Sequence, residues 1–193
     1  AAATVATLCN LAFVLDRQGR STEAEEVAAA AFDRVMTRLP AADPRGLALR
    51  VIHANGLMRA GHDRRAEEVA RAVIADAAAG NAGDAFQTVA ASLTLGRILH
   101  ARGDHAEAEQ TARRALELLR RQTEAARVAG ASMPTPGQLS LLWNTAVQGL
   151  SPRPLEELLA GILDDTGRPA EAAAIRRRTV PTSAAPRPED ARP

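Results

Sequence analysis

The chain contains no lysine and no tyrosine. Its 24 basic side chains are all arginine, which excludes a Schiff-base lysine, a P-loop lysine and a kinase lysine. A single cysteine, Cys9, cannot form an internal disulfide, and this usage fits a reducing, cytoplasmic setting. Aromatics make up only 2% of the residues, as Phe13, Phe32, Phe86 and Trp143. A core must therefore be assembled from Ala, Leu, Val and Ile, a composition that favours helices in close approach. No apolar run reaches the roughly 18 residues of a membrane span. With a net charge of +1 the chain has no large field to draw it to nucleic acid or to a membrane surface. The start, Ala1-Ala2-Ala3-Thr4, lacks the basic stretch of a signal peptide, and it reads as a chain cut from something larger or trimmed at its start.

What is present is repetition. The segment G-R-S-T-E-A-E-E-V-A at Gly19 returns as G-H-D-R-R-A-E-E-V-A at Gly61 and as G-D-H-A-E-A-E-Q-T-A at Gly103, a spacing of 42 residues each time. A shorter copy, G-R-P-A-E-A-A-A-I, begins at Gly167. A fixed period of this length is the mark of a solenoid, in which each unit buries its apolar face only by stacking on its neighbours. Apolar residues recur at helical spacing nearly throughout, and no strand alternation is evident. Each unit reads as helix, tight turn, helix, with the repeat glycine as the left-handed residue just past the first helix.

The spacing predicts an all-α domain over 1–179, with repeats at about 3–38, 45–79 and 84–129 and a degenerate pair at 153–179. Ser21 is expected to cap the second helix. Between Gly103 and Gly167 the interval grows to 64 residues, 22 more than the period. The surplus holds a Gly/Pro loop and a helix at about 138–149 around Trp143, expected to cap the end of the third repeat rather than gate a groove. Residues 180–193, proline-rich and without periodicity, read as a disordered tail or linker.

The pattern resembles the tetratricopeptide repeat. The first repeat carries Leu8, Leu11-Ala12, Leu15, Gly19, Ala24, Ala28 and Ala31, and the third Ser92, Leu95-Gly96, Leu99, Gly103, Ala108, Ala112 and Ala115. The second keeps Ala54, Leu57, Gly61, Ala66, Ala70 and Val73 but has Arg50 and His53 where Leu or an aromatic would stand; the last keeps Leu159-Ala160, Leu163, Gly167 and Ala172. A period of 42 is similar to the longer-repeat branch found in kinesin light chains and bacterial signalling proteins. The resemblance implies a right-handed α–α superhelix in which Leu11 and Leu15 fill the groove between paired helices. It also implies a concave face lined by the first helix of each repeat.

On that face the resemblance places Cys9, Phe13, Asp16 and Arg17 from the first repeat. The second contributes Val51, Asn55, Met58 and Arg59, and the third Leu93, Arg97 and His100. The mixture of apolar and arginine side chains fits an extended or helical protein segment of acidic character. The family's lysine-dependent carboxylate clamp is excluded by composition. The resulting expectation is a non-enzymatic scaffold or sensor module of a larger bacterial regulatory protein. The alternative is a small-molecule or peptide receptor with a pocket in the groove. Exposed end faces of a short solenoid also allow a homodimer.

Chemistry beyond binding finds little support in the sequence. His53, His62, His100 and His105 do not fall at metal-ligand spacings such as H-E-x-x-H, and there is no Gly-rich phosphate loop, so neither a metal nor a cofactor is expected. His62 and His105 sit in inter-helix turns and read as exposed, and Asp164-Asp165 reads as a solvated helix end. Cys9 reads as helix packing. Arg113, Arg114, Arg120, Arg121 and Arg127 interleave with Glu117 and Glu124 at helical spacing, which reads as a salt-bridged solvent face rather than a nucleic-acid surface.

Overall fold

The computed structural model of the chain describes residues 7–8, 11–12, 14–15, 18–36, 42–79, 85–128 and 152–179. Seven helices follow one another: α1 Ser21–Met36, α2 Pro44–Arg59, α3 Asp63–Ala79, α4 Ala85–Arg102, α5 His105–Val128, α6 Arg153–Asp165 and α7 Pro169–Thr179. Ahead of α1, the described residues between 7 and 15 are helical. No strand occurs among the described residues. The helix read at 138–149, the tail from 180 and several residues of the first helix lie outside them.

The four repeat glycines decide the helix–turn–helix geometry. Gly19, Gly61, Gly103 and Gly167 have φ of 77, 79, 89 and 74°, the left-handed conformation that ends a helix at little cost only for glycine. At Gly61 the turn is closed by His62 N donating to Leu57 O at 2.8 Å and Gly61 N to Met58 O at 3.1 Å. The next helix starts at once: its first backbone bond runs from Ala66 N to His62 O. In the first repeat the corresponding acceptor is Arg20 O, so Arg20 occupies the cap position and Ser21, expected there, is already inside α1. The Arg20 side chain reaches Glu23 Oε2 across the first turn at 2.5 Å. Arg168 repeats the arrangement with Glu171 at 2.7 Å.

Small residues recur in register where helices cross. Seven positions before each repeat glycine stand Ala12, Ala54, Gly96 and Ala160, and five after it Ala24, Ala66, Ala108 and Ala172. All these alanines are at most 3% exposed, and such small side chains let helix axes approach closely. Gly96 is the closest point: a Cβ there would lie 2.8 Å from Leu158 Cδ2 of the last pair. One buried cluster runs from Ala54 through Leu95, Leu99, Leu116 and Leu159 to Ile175. The second, third and fourth units thus share a continuous core, and α6 packs directly on α4 and α5 despite the 22 surplus residues between them.

Leu15 is buried, as the pattern predicts, but Leu11 is 46% exposed, a correction to its predicted place in the groove between the helices. The cause lies in the stacking direction. Its counterparts His53, Leu95 and Leu159 are buried, including the one in the last unit, which has no successor. One turn on, Ile98 packs on Leu57 and Ala66 of the preceding repeat. This stripe therefore faces backwards along the array, and in the first repeat it leaves Leu11 and Val14 exposed together.

Candidate functional site

The inner-face residues predicted on α2 and α4 lie on adjacent helices of successive repeats. Asn55 is half-buried and its Oδ1 accepts a 2.9 Å hydrogen bond from Thr94 Oγ1, a bond between repeats that fixes the amide in place. Met58 is half-buried, packed against Leu57, Ala66 and Ile98, so it contributes more to the inter-repeat seam than to an open surface. Arg59 and Arg97 are both exposed. Phe13, Asp16, Arg17 and Cys9 lie outside the described residues. Val51, expected on the face, is instead buried with Leu47, Val73, Ala77 and Ala91, and Leu93 is half-buried against the larger core cluster, which leaves Asn55, Met58, Arg59, Arg97 and His100.

Arg97 differs from the other arginines. Arg20, Arg71, Arg102, Arg127 and Arg168 are each pushed up in pKa by hydrogen-bonded glutamates, Glu23, Glu107, Glu67, Glu124 and Glu171 respectively. Arg97 is held below the ordinary arginine value, first by desolvation and then by the charge of Arg59, with Glu157 opposing. Two cations on successive first helices therefore repel each other where neighbouring protein has displaced part of the water. An incoming anion would offset the repulsion.

His100 belongs to the same predicted face, but its Nε2 is 2.7 Å from Asp165 Oδ2 of α6. Its ring meets that of His105 edge-on with centroids 5.5 Å apart. His105 is accordingly half-buried rather than exposed, whereas His62 is exposed. Nor are the paired aspartates of α6 simply solvated. Asp164 binds Arg176 at 2.5 Å and Asp165 binds His100. Sequence spacing missed this group because Asp165 stands 65 residues from His100 and is brought there by repeat stacking. On α5 the predicted glutamates do pair with arginines, Arg121–Glu117 and Arg127–Glu124 both at 2.8 Å, while Arg113 pairs instead with Glu109 at 2.8 Å.

A cleft of about 440 Å³ opens between α5 and α7, with Leu116, Leu159 and Ile175 as its apolar wall and Arg113, Arg120 and Arg178 around it. It is formed mainly by second helices, away from the Arg59–Arg97 face.

The tetratricopeptide-repeat family matches residues 4–34 and 88–123 of the chain, the first and third of the repeats described above. These are tetratricopeptide repeats. The array is also similar to two solved structures of a kinesin-light-chain-type protein from Podosopora anserina with nearly identical TPR-like repeats, one of them a single-substitution variant. The variant shares 18% identity and the other 17%, each over 90% of this chain and over 91% and 92% of theirs, with TM-scores of 0.51. That likeness concerns the fold: an α–α superhelix of helix pairs. No curated protein matches the sequence at a significant level. No helix among the described residues is long and apolar enough to cross a membrane.

Proposed function

We propose that this tetratricopeptide array is a non-enzymatic binding module whose inner face holds an acidic segment of a protein partner. The reading is supported by the placement of Arg59 and Arg97, both exposed, on adjacent first helices of successive repeats, where the charge of Arg59 bears on Arg97. Tetratricopeptide repeats generally mediate protein–protein interaction. Asn55, held by Thr94, adds an ordered amide able to bond a peptide backbone, and the seam beside Met58 adds apolar surface. Arginine is suited to this task because its planar fork engages a carboxylate through two parallel hydrogen bonds. A role in a larger bacterial regulatory protein, in the cytoplasm, is part of the same proposal.

The test is binding of fluorescent peptide pools of graded acidity, compared between the wild type and the Arg59→Glu plus Arg97→Glu double variant. Acidic peptides are expected to bind the wild type and to lose at least about 100-fold in affinity on charge reversal, equivalent to about 2.7 kcal/mol. Their affinity should also fall with added salt. Equal binding by both proteins would move the site off this face. A preference for neutral or basic peptides would remove the electrostatic basis of the reading.

A further inference from the structure

We propose that His100, His105 and Asp165 form a Zn²⁺ site that clamps the fourth helix pair onto the third. The proposal stands on a cluster separate from the Arg59–Arg97 pair. Each of the three residues offers one ligand atom, and these atoms lie within 4.8 Å of one another. Two imidazoles and one carboxylate are a donor set that zinc accepts, with a fourth position left for water or another ligand. Zn–N and Zn–O bonds place tetrahedral ligand atoms about 3.3 Å apart. Closing on a cation therefore asks the wider separations to contract and the 2.7 Å His100–Asp165 contact to open slightly. The Asp165 side chain is 57% exposed and has room to make that adjustment. The cation takes the place of the proton now lying between His100 Nε2 and Asp165 Oδ2.

The surroundings favour this set. His105 Nδ1 is buried without a hydrogen-bond partner, an expensive state for an imidazole nitrogen. The neighbouring carboxylates are already engaged, Asp164 by Arg176 and Asp104 by Arg102, each at 2.5 Å. Gly161 leaves space for the His100 ring, since a Cβ there would lie 3.3 Å from His100 Cε1.

Position along the array gives the site its meaning. His100 and His105 flank the turn of the third repeat, at three residues before and two after Gly103, and Asp165 stands two before Gly167. The same positions at the junction of the second and third repeats hold Met58, Asp63 and Ala101, which cannot make such a set. The donors thus occur at the junction interrupted by the 22 surplus residues.

The experiment titrates Zn²⁺ into the untagged, chelator-treated full chain by calorimetry, with Asp165→Asn, His105→Gln and Cys9→Ser variants in parallel. One Zn²⁺ per chain is expected, weakened at least about 10-fold in Asp165→Asn and in His105→Gln and unchanged in Cys9→Ser. Zinc at about 100 times Kd should raise the wild-type melting temperature by about 5–10 °C, reversed by chelator. Co²⁺ in its place should give visible d–d absorption, absent in the Asp165→Asn protein. Asp165 is exposed, so its variant folds and keeps the test decisive even if His105→Gln does not. Wild-type zinc affinity in Asp165→Asn would overturn the proposal. So would loss of binding in Cys9→Ser, or no binding by the wild type up to about 1 mM.

Discussion

Arg50 allows a quantitative test of how the second repeat tolerates its departures from pattern. It stands where the repeat favours Leu, and its side chain is only 8% exposed. Its charge is met by Asp76 of α3, whose side chain is 34% exposed; Arg50 Nη1 donates to Asp76 Oδ2. Removing one partner of a fully buried pair costs about 3–5 kcal/mol, because the other charge is left uncompensated. Asp76 is a third open to water, which screens the pair, so Asp76→Ala is expected to cost about 2–3 kcal/mol. For a domain of this size that lowers the melting temperature by about 4–12 °C. Arg50→Leu removes the charge that needed compensating and places apolar volume in an apolar seam. It is expected to lie within about 1 kcal/mol of the wild type, in either direction. In the Arg50→Leu background, Asp76→Ala should then cost less than about 0.5 kcal/mol. Urea denaturation of the four proteins at neutral pH reads all three values. A cost for Asp76→Ala that survives unchanged in the Arg50→Leu protein would refute the reasoning, since the aspartate would then be acting through something other than Arg50.

Other expectations rest on different parts of the array. Gly61→Ala meets no steric obstacle, as nothing lies within 4 Å of a Cβ there, but it forces alanine to φ near 79°; a loss of about 1–2 kcal/mol is expected, with Gly61→Asn milder in the same denaturation assay. Leu11→Ala should cost less than about 1 kcal/mol because its side chain is exposed, whereas Leu159→Ala, at the equivalent buried position, should cost about 2–4 kcal/mol; similar losses would contradict the backward-facing stripe. Glu67 is held below the usual carboxylate range by hydrogen bonds from Arg102 and then Arg71, against desolvation. At Glu109 burial pushes the carboxyl up but is outweighed by Arg113 and Arg168. Both carboxyls have depressed folded values, so their contribution is complete above the unfolded value of about 4.5 and is lost as pH falls through the lower folded values. The Glu67→Gln plus Glu109→Gln protein should therefore show a flatter loss of melting temperature below pH of about 4.5 than the wild type.

The repeat glycines made the architecture readable, because a left-handed turn residue recurring at a fixed period fits little besides a stack of helix pairs. The alanines in register with them marked which faces approach closely, and each one described is buried. What escaped the sequence was every feature that depends on the neighbour in the stack. Leu11 and Leu95 hold the same position in their repeats, yet one is exposed and the other buried, because burial there comes from the preceding unit. His105 and Asp165 look like turn and helix-end residues, each solvated by default. Only stacking of the fourth pair on the third brings them to His100. The Arg59–Arg97 pair was legible as two inner-face positions, but the repulsion that sets Arg97 apart from the carboxylate-paired arginines follows from how successive repeats stack, which spacing alone does not supply.

The irregular junction shows why period and stacking must be kept apart. A break of 22 residues in the period would suggest that the last pair is an appendage. Yet Gly96 meets Leu158 so closely that a Cβ would not fit between them, Arg168 reaches back to both carboxylate oxygens of Glu109 at 2.9–3.0 Å, and the core continues without a gap into Leu163 and Ile175. The docking face is thus specified by side chains. The attachment of the fourth pair rests on this face. A cation bridging His100, His105 and Asp165 would act at that point, whereas a peptide on Arg59 and Arg97 acts one repeat earlier. Occupancy of the inner face and attachment of the last pair would then be coupled through α4, which carries both Arg97 and His100, and through the charge of Glu157 on α6, which acts on Arg97.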